Sequence, residues 1–132
     1  MKRIVSVLVF VLLFSQTSRS QALIGFNMSE VRKEYPSVNW EYGKWGESNE
    51  YQTMSFEDNS IATIYYFNEK GICFSTAIIP KSQGILQAMI ERYNSRYVIV
   101  DDTHWKFYTN GGVLKSYLKM TDENVYYFYW YM

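Results

Sequence analysis

A single cysteine and a single histidine occur among the 132 residues of this chain, and both scarcities close off lines of chemistry. Cys73 has no intrachain partner for a disulfide. It lies between Ile72 and Phe74 in a strand-like run, where a free cysteine is expected to be a buried, inert thiol. With His104 the only histidine, any centre built on two or more histidine ligands is excluded. No nucleophile elbow, phosphate loop, dinucleotide fingerprint or zinc-ligand spacing appears. No catalytic, cofactor or metal site is therefore expected.

The acidic residues do not change that expectation. Asp101 and Asp102 precede His104, but adjacent carboxylates in a turn are ordinarily solvated. Strand alternation, if it persisted, would send Asp102 and His104 to the side opposite Asp101. Glu57-Asp58 and Asp122-Glu123 also fall in turn signals. Glycoside hydrolysis needs two carboxylates held about 5–9.5 Å apart in a cleft, and hairpin tips supply none. A small hydrolase using His104 is the weakest of the readings considered.

Basic tracts and long apolar runs are lacking too. Lys2 and Arg3 introduce only eleven mostly apolar residues, 4–14, followed by the polar stretch SQTSRSQA. Eleven residues cover roughly 16 Å as a helix, about half the hydrocarbon core. The layout is that of a cleavable secretory signal over 1–20, and it points to a periplasmic or secreted destination. Cleavage after Ser20 or after Ala22 both fit the small-residue rule, the first being preferred. No cysteine follows either point, so no lipid anchor and no membrane span are expected. Without Lys2, Arg3 and Arg19 the basic count falls from 13 to 10 against 13 acidic residues, a net charge of −3. Nucleic acid is thus a poor partner.

What is present is a regular succession of aromatic and β-branched runs separated by turn signals such as NEKG, DDT, NGG and DEN. Short antiparallel strands are expected at 37–42, 50–56, 61–67, 72–79, 96–100, 104–109, 113–121 and 125–131. Two segments read as helices. NMSEVRKEYP has Asn27 and Glu30 in capping-box spacing and stops at Pro36. KSQGILQAMIERYNS has Ser82 as N-cap, with Leu86, Met89, Ile90 and Tyr93 on one face. The order is helix and four strands, twice, which predicts one α+β domain over 21–132 built from pseudo-repeats at about 27–80 and 81–132. Its sheet should be mostly antiparallel, with both helices on one face.

The doubled layout behind a signal segment resembles β-lactamase-inhibitor-protein-like domains. The opening LIGFNMSEVRKEYPS, through Gly25, Ser29, Val31 and Pro36, is similar to the start of SmpA/OmlA-like outer-membrane lipoproteins. The chain departs from them in having no lipid-attachment cysteine, no disulfides, and one helix per unit where the inhibitor repeat has two. The resemblance implies a sheet that grips another protein.

If the helices cover one face, strands must alternate. Trp105 and Phe107 oppose Lys106 and Tyr108; Leu114, Leu118 and Met120 oppose Lys115, Tyr117 and Lys119; Phe128, Trp130 and Met132, the row expected in the core, oppose Tyr127, Tyr129 and Tyr131. The second member of each set, together with Trp45 on the glycine-flanked loop GKWGESNE, makes up the candidate partner-binding surface. Tyrosine combines rigid ring area with a polar tip, as protein interfaces favour. A protein partner leads, and a glycan or small ligand stacking on the same rings is the alternative. The closing strand is also expected to be a possible sheet edge, open to pairing with a second copy. The two interrupting helices and the lysines of 113–121 disfavour an outer-membrane barrel.

Overall fold

The computed structural model describes residues 22–132; the signal segment expected over 1–20 lies outside them. Helix α1 is Met28–Glu34. The Asn27 side chain accepts from the Glu30 N–H at 2.8 Å, and the Asn27 N–H donates to Glu30 Oε1 at 3.1 Å, so two orphan donors of the first turn are satisfied reciprocally. The helix stops at Tyr35, whose backbone leaves the helical region because the following Pro36 disfavours it. Replacing Asn27 by alanine is expected to cost about 1 kcal/mol, readable as a lower denaturant midpoint at unchanged slope.

Four strands follow, β1 (Glu41–Trp45), β2 (Tyr51–Glu57), β3 (Ile61–Phe67) and β4 (Cys73–Pro80), then α2 (Gln83–Arg96). The Ser82 side chain caps α2 by accepting from the Ile85 N–H. Strands β5 (Val98–Asp101), β6 (His104–Thr109), β7 (Gly112–Met120) and β8 (Tyr126–Tyr131) complete the order. All eight form one antiparallel sheet, β1-β2-β3-β4-β8-β7-β6-β5. Each helix-led meander contributes four consecutive strands, and the two meanders meet where β4 pairs with β8. The sheet is open, since β1 and β5 each pair with a single neighbour. No helix among the described residues is long and apolar enough to cross a membrane.

The expected free edge at the closing strand is corrected by this order. Strand β8 is central, hydrogen-bonded to β4 on one side and β7 on the other, so its backbone has no edge left for a second copy. The edges are β1 and β5.

Register shows why one face is covered. Met54, Tyr65, Thr76, Trp130, Ser116 and Trp105 are successive partners across six strands, and all are buried. On this row α1 packs through Val31 against Met54, Phe56, Tyr65 and Phe67. The longer α2 packs through Leu86, Met89 and Tyr93 against Trp105, Phe128 and Trp130. Ile24 touches both clusters and joins them into one core. The segment that carries it is tied to β4: Gly25 N–H donates to Cys73 O, Cys73 N–H to Phe26 O, and Thr76 Oγ1 to Ala22 O at 2.6 Å.

Cys73 belongs to this covered side. Burial pushes its thiol up to about 11, and burial likewise raises the Tyr65 and Tyr93 hydroxyls above their ordinary range. Folding therefore keeps all three protonated. The stability they support is complete below their unfolded values and is lost as pH rises through the folded ones. The midpoint of urea unfolding is expected to stay level from about pH 7 to 8 and to fall steeply above about pH 10. Cys73 should react with a thiol reagent at pH 8 only after unfolding.

Candidate interaction face

The opposite face carries two complete cross-sheet rows. One runs Gly43, Thr53, Tyr66, Ser75, Tyr131, Lys115, Lys106, Val98; its neighbour runs Glu41, Ser55, Ile64, Ala77, Tyr129, Tyr117, His104, Asp101. Lys119 opposite Tyr127 continues the face beyond the second row, and Tyr108 opposite Val113 extends it beyond the first. Lys106, Tyr108, Lys115, Tyr117, Lys119, Tyr127, Tyr129 and Tyr131 thus share the helix-free side, as strand alternation requires.

Tyr117 is the hub. Its ring lies 5.3 Å from Tyr129, 5.9 Å from Tyr131, 6.4 Å from Tyr127 and 6.2 Å from His104, within the range of favourable aromatic pairs. Burial, and then the neighbouring Tyr127, Tyr129 and Tyr131 hydroxyls, raise the Tyr117 pKa. Tyr108, 61% exposed at the far end of β6, is an outlier to this cluster.

Trp45 is placed differently from the loop position expected of it. It is the last residue of β1, paired with Tyr51, and it remains 52% exposed. The turn begins one residue later at Gly46, whose φ of +105° suits glycine. Trp45 stacks on Tyr51 at 5.6 Å and meets Tyr66 edge-on at 5.3 Å, while Tyr51 contacts Phe74 at 4.9 Å. Tyr51, Tyr66 and Phe74 therefore add a second aromatic cluster from the first half of the chain. Plain alternation within β3 opposes Tyr66 to the core residue Tyr65. Phe74 is hidden by a bulge: Tyr66 pairs with Ser75 but Phe67 pairs with Cys73, leaving Phe74 as the extra residue.

The two clusters flank β4, whose residues here are small. Ser75 and Ala77 form the floor, flanked by Tyr66 and Ile64 on one side and Tyr131 and Tyr129 on the other. Burial, then Tyr129 and Tyr127, raise the Tyr66 hydroxyl above its ordinary value. Ser75 is 1% exposed and its hydroxyl has no hydrogen-bond partner. Its neighbour Thr76, on the covered side, holds Ala22 O. The two hydroxyls should respond oppositely to removal: Thr76→Val is expected to cost about 1–2 kcal/mol, while Ser75→Ala should be neutral or stabilising by up to about 1 kcal/mol. Thermal melts of the two variants check this.

Charge is unevenly placed. Lys106, Lys115 and Lys119 lie on the β6–β7 half, and none forms an ion pair among the described residues. Lys106 and Lys115 are direct cross-strand partners. Asp101 and His104, expected on opposite sides, are instead brought together by the tight β5–β6 turn. Asp101 Oδ1 accepts from the Thr103 N–H at 2.9 Å and lies 2.8 Å from His104 Nδ1. The Thr103 N–H first, and then His104, hold the Asp101 carboxyl below its usual value. This local knot closes a hairpin in full solvent.

No family model matches this sequence, and neither a curated protein nor a solved structure matches it.

Proposed function

We propose that the chain is an exported, non-catalytic module that binds a protein through the helix-free face of its sheet. The observation that carries this is the asymmetry of the sheet. One side is closed by two helices and a buried row, while the other bears two aromatic clusters and three lysines without carboxylate partners. Eight strands at about 4.8 Å spacing and five residues along each give a projected face on the order of 600 Å². With the relief of its rings, that is on the scale of the roughly 800 Å² per partner of a stable interface.

The ring geometry favours a protein over a sugar. Tyr117 meets Tyr127 at 67° and Tyr131 at 57° while Tyr129 and Tyr131 stack at 27°, so the rings stand at mixed angles rather than side by side as one flat platform. A pyranose needs one free flat ring. The resemblance to β-lactamase-inhibitor-protein-like domains supports the same choice. A non-catalytic role is favoured because His104 is engaged in its own hairpin and Cys73 is buried on the other side.

Export is supported by the reading of residues 1–20, and the fold favours cleavage after Ser20. Ala22 is fully buried and its carbonyl accepts from Thr76. Scission after Ala22 would delete that acceptor and place a charged amine on buried Leu23. Mass measurement of the exported protein should give a chain beginning at Gln21.

Site-specific photocrosslinking tests the binding role. A benzophenone side chain at Tyr129 should capture a discrete protein from envelope or culture extract, while the same probe at Gln87, exposed on α2, should not. Equal capture at both positions, or a glycan adduct at Tyr129, would reject the reading.

A further inference from the structure

We infer that Lys115, Tyr117 and Lys119 form a recognition strip for an extended acidic segment of the partner, with carboxylates four residues apart and an apolar side chain midway. The inference rests on the reading of this face as a protein-binding surface and specifies what binds there. The three residues alternate along β7 and all point to the open side. At about 3.4 Å per residue the two lysine positions lie roughly 14 Å apart, and a partner strand laid along β7 repeats that spacing at residues i and i+4. Its residue i+2 then falls on the Tyr117 ring.

The surroundings fit an anion better than any other occupant. Lys106 faces Lys115 directly across the β6–β7 pair, a like-charge arrangement that weakens a sheet. No carboxylate in the described chain relieves it. Tyr131 completes the same row, so two ammonium groups and a phenol are the donors there for an incoming carboxylate. A basic segment would add to the repulsion already present, and a neutral one would leave it unrelieved.

The test uses the folded protein and two synthetic peptides, Ser-Glu-Ser-Leu-Ser-Glu-Ser and the same sequence with lysine for glutamate, both capped. Amide shifts are followed by two-dimensional NMR during titration. The glutamate peptide is expected to shift β6 and β7, to weaken as sodium chloride rises from 0.05 to 0.5 M (screening lengths of roughly 14 to 4 Å), and to bind roughly tenfold more weakly to Lys115→Gln/Lys119→Gln. Equal binding of the lysine peptide, no shift at β7, or preferential binding of polygalacturonate over the glutamate peptide would overturn it. If that double variant keeps full crosslinking from Tyr129, the face still binds protein but the acidic segment is wrong. If crosslinking at Tyr129 never occurs, the underlying reading has failed.

Discussion

Trp130→Ala is expected to lose about 3–5 kcal/mol of folding stability, which for a domain of this size lowers the melting temperature by roughly 15 °C. Total stabilities run to about 5–15 kcal/mol, so the loss removes a large share of what holds the fold. Trp130 is fully buried and stands next to the β4–β8 seam, the one place where the two meanders pair. Its indole N–H donates to the Tyr93 hydroxyl at 3.0 Å, and its ring meets Tyr93 at 5.5 Å and Tyr97 at 4.9 Å. One side chain thus fastens α2 to the centre of the sheet. The lost ring leaves a cavity and orphans a buried hydroxyl. Tyr93→Phe separates the two effects: the ring stays, the indole N–H loses its acceptor, and the cost should be about 1–3 kcal/mol. If Trp130→Ala cost less than 1 kcal/mol, the seam would not be where the halves are held.

The second large effect concerns binding. Replacing Tyr117, Tyr127 and Tyr129 together by serine is expected to abolish partner capture, because a few aromatic anchors at the centre of an interface carry most of its energy. These rings are half-buried against one another, so the triple variant also gives up some stability, which circular dichroism will register. The matching triple phenylalanine variant keeps every ring and removes three hydroxyls. It should melt close to the parent and retain capture at reduced affinity. Capture undiminished by the serine variant, once shown to be folded, would remove these tyrosines from the interface.

Much of this architecture is legible in the sequence. Asn27 with Glu30 and Ser82 announced both helix starts because capping is local chemistry. Alternation in 104–109, 113–121 and 125–131 assigns faces correctly because a strand has a period of two, but Met120 and Met132, expected with the core residues, are exposed at the strand ends beyond the reach of the helices. Alternation says which way a side chain points and nothing about which strand lies beside it. The central position of β8 depends on pairing with β4 some fifty residues away, and no local pattern encodes that. Phe74 was missed because its bulge inserts a residue and breaks the period. Trp45 looked like a loop residue because Gly43 and Gly46 flank it, yet Gly43 is accommodated within β1 opposite Thr53. Asp101 and His104 were separated by assuming a strand where the chain turns. The candidate face was accordingly half legible, its β6–β8 tyrosines and lysines visible and its Tyr51–Tyr66–Phe74 portion not.

The claim beneath all of this is that the tyrosines of one sheet face are both uncovered and occupied by a partner. Tyrosine nitration read by mass spectrometry, on the free protein and on its unmodified complex with the partner that crosslinking identifies, addresses both halves at once. Tyr117, Tyr127, Tyr129 and Tyr131 should be modified in the free protein and shielded in the complex, with Tyr65 and Tyr93 unmodified in either. Nitration of those four that is absent from the free protein, or unchanged on complex formation, would contradict the account.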